Sequence, residues 1–292
     1  MKNFQGFTLV ELMVSLVLGL LLTAAAVQLL MTGTLTFSNQ RNAADVQDNA
    51  TFGLALVGQQ LRRTNSGNAQ IIGSTGSLNG LIFDAASASP TAPVNMPVTA
   101  MDVNLSSTVD LKSDQLVIQY QAAQGGTRDC EGNDIVSSDL VIERYFLRRD
   151  NLSAESPQPL ALACAAFRNN ALANASTSAG SIILNRVDDL RILLGTTLTV
   201  VDPVTKVSTT TWRYDPINTY NALPLPRPII RTVQLGVLIR STNTDPATAS
   251  IVRSSNYKLL DQSVSVLKND DGFVRRVFST TVSFRNSLGA GV

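Results

Sequence analysis

Residues Phe7 to Met31 read FTLVELMVSLVLGLLLTAAAVQLLM, an almost uninterrupted apolar run. At about 1.5 Å per residue it is long enough to cross the ~30 Å hydrocarbon core of a bilayer as a helix. Its one charge is Glu11. Lys2 and the amino terminus lie on one side of the run, and the positive-inside tendency places that side in the cytoplasm and the remainder of the chain outside. An ordinary secretory signal ends in a small-residue cleavage site behind its apolar run. Here the run flows on, and the small-residue break with a basic flank is Gly6, in front of it.

The helical pattern continues beyond the membrane-type stretch. The first proline is Pro90, and helix-compatible sequence reaches about Arg63. Val46, Ala50, Leu54, Val57 and Leu61 recur at helical spacing as an apolar stripe, with Arg41, Asp45, Asp48 and Arg62 around it. These features divide the chain into a short leader (1–6), a membrane-spanning helix (7–31), an amphipathic continuation (32–63) and an exported domain (64–292). Gly19 and Gly33 are the soft points of the helix.

Composition limits the chemistry. The 292 residues contain no histidine, which removes histidine-dependent triads, the commonest general base and most zinc sites. We expect no enzyme, no metal centre and no cofactor. A net charge of +1 with 15% charged residues argues against a nucleic-acid partner, which needs clustered Lys and Arg. The doublets Arg62-Arg63, Arg148-Arg149 and Arg275-Arg276 read as solvated faces or local ion pairs. The acidic stretches EGND (131–134) and NDDG (269–272) lack the ligand spacing of a calcium loop and read as turns. Cys130 and Cys164 either pair with each other, as an oxidising compartment favours, or stay as two buried thiols.

Beyond Thr64 the composition shifts to Ser, Thr, Asn, Ala and Gly with short strand-like runs. Strands are expected at Gln115–Gln121, Leu140–Leu147, Ser181–Leu184, Asp189–Leu194, Thr197–Val201, Ile229–Ile239 and Arg275–Phe284. In the last of these the side carrying Phe278 and Phe284 should face the core. Ala85–Ser113, Asn221–Pro228 and Ser241–Ser255 read as loops or connectors. The expected fold class is α+β: a long N-terminal helix packed on an antiparallel sheet, with extended loops and an added sheet region.

The residues Gly6-Phe7-Thr8-Leu9-Val10-Glu11 resemble the N-terminal signal of type IV pilins and pseudopilins. Three later blocks, IILNRVDDLRI (182–192), VQLGVLIRS (233–241) and RRVFSTTVSFRN (275–286), resemble those of PilW-type minor pilins, relatives of the J-type pseudopilins of type II secretion. The resemblance implies that a prepilin peptidase cuts between Gly6 and Phe7 and methylates the new amino group of Phe7. It also implies that Glu11 pairs with such an amine, its own or a neighbour's, during assembly. A carboxylate near the bilayer centre costs about 2.5 to 3.5 kcal/mol, so Glu11 needs a partner or a route to water.

Two departures stand out. The apolar run lacks the proline found in many major pilins, and Leu61-Arg62-Arg63-Thr64-Asn65-Ser66 replaces a family segment that carries a cysteine. The implied function is a minor pilin that helps initiate or cap a type IV pilus, supporting twitching motility, adhesion and DNA uptake. Its implied partners are other minor pilins, the major pilin, the peptidase and the inner-membrane assembly machinery. The implied location is the inner membrane, single-pass with a periplasmic C-terminal domain, and then the pilus tip. The alternatives are a pseudopilin of a type II secretion system and an adhesin or DNA-binding module at the tip.

Overall fold

The computed structural model describes residues 8–68, 72, 79–84, 96–104, 108–123, 125–156, 158–168, 178–244, 255–267 and 272–288, with backbone only at 104 and 198–201. Helix α1 (Leu9–Leu61) is continuous over 53 residues, about 80 Å at helical rise. No proline interrupts its hydrogen-bond ladder, and Gly19 and Gly33 sit within it without a break. The stripe read from the sequence is the face that packs: Val46, Ala50, Leu54, Val57 and Leu61 are all buried.

The helix packs against two antiparallel sheets rather than one. The first sheet has the order β1 (Ala100–Asn104), β2 (Ser113–Gln121), β5 (Leu140–Arg149), β6 (Leu160–Arg168), β7 (Ser181–Leu184). The second has the order β13 (Arg275–Ser283), β10 (Ile230–Arg240), β8 (Val187–Val201), β9 (Ser208–Pro216). Two hairpins, β3 (Thr127–Arg128) with β4 (Asp134–Ile135) and β11 (Asn256–Leu259) with β12 (Gln262–Ser265), and a short helix α2 (Ile217–Asn221) complete the described elements. Strand β8 lies against β2 and β6, while α1 reaches β7 and β13, the edge strands of the two sheets. Covering both edges with one helix buries apolar residues of all three layers in a shared core.

Polar clamps fix the helix in place. The Asn49 amide donates to the Asn185 carbonyl (2.8 Å) in the turn between β7 and β8. Past the end of α1, the Asn65 backbone N–H donates to the Gln119 carbonyl (3.0 Å) in β2. The Asn65 side chain donates to the Asn286 carbonyl (2.7 Å) beyond β13, so one asparagine ties both sheets to the helix end. Between the sheets, the buried Arg191 of β8 spans Asp261 (2.7 Å) and Asp114 of β2 (3.4 Å).

Gly53 marks the closest approach of helix to sheet. A Cβ there would run into Leu184, whose Cγ and Cβ would stand at 3.1 and 3.2 Å. A mid-helix glycine costs about 1 kcal/mol against alanine, a cost offset here by the contact it allows. Overpacking such a contact typically costs about 1 to 3 kcal/mol. Gly53→Val should therefore lower the thermal midpoint of the detergent-solubilised protein by several degrees, whereas Gly33→Val, with open space around it, should leave it near wild type.

The expected strands at Asp189–Leu194 and Thr197–Val201 are one strand, β8, running through Gly195 and Thr196. The stretch Ala85–Ser113, read as loop, holds β1 and the first residue of β2. Strands β6 and β9 and the β11–β12 hairpin add to the expected set. In β13 the expected side faces inward: Val282 and Phe284 are buried and Phe278 packs partly against the core. Arg275, read as solvated, is instead buried, because β10 brings Asp188 of β8 to its guanidinium (2.7 Å). Arg276, at the start of the strand, is exposed even though it shares a pleat side with Phe278.

Candidate functional site

The half of α1 that precedes the packed region is a candidate assembly surface. From Leu9 to Arg41 no residue is buried, and the first buried position is Asn42. Leu9, Leu12, Leu21, Leu22, Leu29 and Phe37 are each more than 60% exposed, which leaves a long apolar surface uncovered by the other described residues. Five of its hydroxyls are satisfied internally. Ser15 donates to the Leu12 carbonyl, Thr23 to Leu20, Thr32 to Gln28, Thr34 to Met31 and Thr36 to Thr32, all at 2.8 or 2.9 Å. With the backbone and these hydroxyls paired along the helix, Glu11 and Gln28 are the polar side chains of residues 9–31 that still need partners when the surface enters lipid or packs on other helices. Two apolar side chains beside the packed stripe, Phe52 (77% exposed) and Leu56 (42%), carry the exposed surface alongside the sheet-bearing region.

Glu11 sits in the first turn of this helix. Thr8 is the N-cap, and its hydroxyl accepts the Glu11 backbone N–H at 3.3 Å. The spacing Thr8-x-x-Glu11 is that of a capping box, a signal that a reading centred on membrane cost passes over. A carboxylate in the first turn is also favoured by the positive end of the helix dipole. Gly6 and Phe7, the expected cleavage and methylation residues, lie outside the described residues.

The cysteines are far from that end in sequence and bonded to each other. Cys130 and Cys164 form a disulfide with Cα atoms 6.2 Å apart. Strand β6 supplies Cys164, fully buried, and the turn between β3 and β4 supplies Cys130. Arg63, just past the helix end, donates to the Arg128 carbonyl (2.6 Å) and so links α1 to the same turn.

Within the turn, EGND folds around Asp129, whose Oδ1 accepts the backbone N–H groups of Glu131 (3.0 Å) and Asn133 (2.9 Å). The other acidic stretch, NDDG, falls largely outside the described residues. Beneath the disulfide lies Glu143, which the sequence reading passed over. It accepts the Tyr145 hydroxyl (2.6 Å), the Tyr120 hydroxyl (3.0 Å) and the Cys130 N–H (3.1 Å), and burial pushes its pKa up. The available signal was its place in β5, where it shares a pleat side with the buried Val141, Tyr145 and Leu147. Cys130, Glu143 and Cys164 converge closely enough to suggest a metal, but sulfur atoms joined in a disulfide offer no thiolate ligand.

Two family models follow this division of the molecule. The family model described as Type IV Pilus-assembly protein W matches residues 144–286, and the prokaryotic N-terminal methylation motif matches residues 1–27. Among solved structures, the type IV-like pilin TTHA1219 from Thermus thermophilus aligns with a TM-score of 0.39 and 12% sequence identity, over 83% of this chain and 96% of that one. A search of the curated proteins found no match. The family points to a structural rather than a catalytic protein, one that is processed as a prepilin and interacts with pilus components. A methylation motif on an apolar helix, followed by the W-type region over β5 to β13, supports a type IV minor pilin of the PilW type.

Proposed function

We propose that this protein helps initiate or cap a type IV pilus, entering it through the exposed half of α1. Before assembly it is held in the inner membrane by residues 7–31, with the domain from 64 to 292 in the periplasm. A prepilin peptidase removes residues 1–6 and methylates Phe7. Cutting ahead of the apolar helix keeps that helix in the mature subunit. The amine formed at Phe7 lies one helical turn from Glu11 and is the natural counter-charge for a neighbouring subunit's Glu11, the neighbours being other minor pilins and the major pilin.

The observation that carries this reading is a single unbroken helix, apolar to Met31, unburied to Arg41 and locked into a two-sheet domain from Asn42 onward. Such a helix transmits its own position rigidly to the domain it bears. A two-sheet domain with long polar connections suits the end of a fibre better than the repeating contacts of a shaft. At that place it supports twitching motility, attachment and DNA uptake by supporting the fibre itself. In a strain carrying labelled protein, label should appear at fibre ends, and deletion should lower the number of pili. Dense label along the whole shaft would overturn the tip assignment.

A further inference from the structure

Where β8, β10 and β13 begin or end together, a loop between β5 and β6 closes over a group of arginines, and one of them is poorly satisfied. Arg240, the last residue of β10, is 6% exposed. Its Nη2 reaches Glu155 Oε2 only at 3.4 Å, and its Nε stands 3.6 Å from Asp188 Oδ1 with no hydrogen bond of its own. Charge-assisted bonds are normally about 2.7 to 2.9 Å. Both carboxylates are engaged elsewhere. Asp188 accepts the Thr108 hydroxyl (3.0 Å) and Arg275 Nε (2.7 Å), and the other oxygen of Glu155 accepts Arg186 Nη2. Arg186 Nη1 is buried without a partner as well. Two guanidinium groups thus share one glutamate, and burial pulls the Arg240 pKa down from its ordinary value.

Arg240 borders a cavity of about 490 Å³, within the size range of small-molecule sites. Glu155 lines it too, its carboxylate shared by Arg186 and Arg240, along with Thr108, Ser156, Gln158, Thr244 and Phe273, whose ring centroid is 4.3 Å from the Arg240 guanidinium carbon. An under-satisfied buried guanidinium calls for an oxyanion, and its planar fork matches a carboxylate. Apart from Glu155, which the two arginines hold, the polar groups around it are neutral hydroxyls and amides that supply donors and acceptors together, which suits a hydroxylated ligand. The space exceeds what an inorganic anion fills. We propose that this cavity binds an acidic saccharide of one or two units, its carboxylate on Arg240 and its hydroxyls on the Thr, Ser and Gln side chains. The site is separate from the assembly helix and gives the exported domain a ligand of its own.

Calorimetric titration of the full-length protein in detergent, with glucuronate, glucose and inorganic phosphate as probes, tests the assignment. Saturable one-to-one binding of glucuronate is expected, at least tenfold tighter than glucose or phosphate. Arg240→Lys keeps a charge but loses the fork, and should weaken glucuronate binding at least tenfold. Thr244→Val, on the exposed rim and outside the ion-pair group, should weaken it several-fold with the thermal midpoint unchanged, and it decides the matter if Arg240→Lys fails to fold. Glucuronate binding no tighter than glucose, equal competition by phosphate, or a folded Thr244→Val protein that binds glucuronate like wild type would each overturn the proposal.

Discussion

Glu11→Ala is expected to remove the protein from assembled pili while leaving its processing and its exported domain unchanged. The domain is insensitive because Glu11 lies in the exposed half of α1, and the Thr8 cap that starts the helix is untouched. Assembly is sensitive because the helix enters an apolar setting, where an unmatched charge is expensive. Breaking a buried pair by removing one member typically costs about 3 to 5 kcal/mol, since the surviving charge is left uncompensated. A loss of that size at docking corresponds to a hundredfold or more in the docking equilibrium. Quantitative blotting of sheared pili against membranes should show at least a tenfold fall in the incorporated fraction, with the mature chain length retained in the membrane. Glu11→Asp should recover part of the loss and Glu11→Gln little. Unchanged incorporation of the alanine variant would remove Glu11 from the assembly mechanism.

The second large effect is expected from the disulfide. Cys130 and Cys164 are 34 residues apart, and closing a loop of that length stabilises by about 3.5 to 4 kcal/mol on a chain-entropy account. The bond also sits over Glu143, whose hydrogen bond from the Cys130 N–H depends on the position of the β3–β4 turn. Cys130→Ser should therefore lower the thermal midpoint by roughly 10 °C for a domain of this size, without affecting membrane insertion through α1. Peptide mapping under non-reducing conditions should find the two cysteines in one linked peptide. Two free thiols in protein taken from the periplasm, or a midpoint that does not move, would refute the stabilising role.

How much of this was legible in the sequence depended on whether the determining pattern was local. The stripe from Val46 to Leu61 was readable because one buried face of a helix imposes its period on the chain. The strand Leu160–Arg168 escaped because LALACAAFR is rich in alanine and carries no β-branched residue, although β5 and β7 bury it from both edges. Strand β9 escaped for the opposite reason. It is a sheet edge whose first seven residues are exposed, so no apolar alternation was required of STTTWRY.

Gly195 looked like a break between two strands. It is instead the point in β8 where Thr232 of the neighbouring strand comes too close for any side chain, opposite an irregularity in β10. Arg275 looked solvated because the carboxylate that buries it comes from a strand 87 residues away. The cavity around Arg240 draws on loops and strand ends scattered from Thr108 to Phe273, a grouping that no spacing rule detects. The assembly helix was the reverse case, since its whole argument lies in one contiguous segment and its relation to Glu11.

Mass analysis of the protein recovered from sheared pili tests the central claim most directly, because it asks about processing and incorporation in one sample. The account predicts a chain present in the pilus fraction that begins at Phe7 and carries a methyl group on its amino terminus. A chain confined to the membrane fraction, or one beginning at Met1 or beyond Met31, would contradict it.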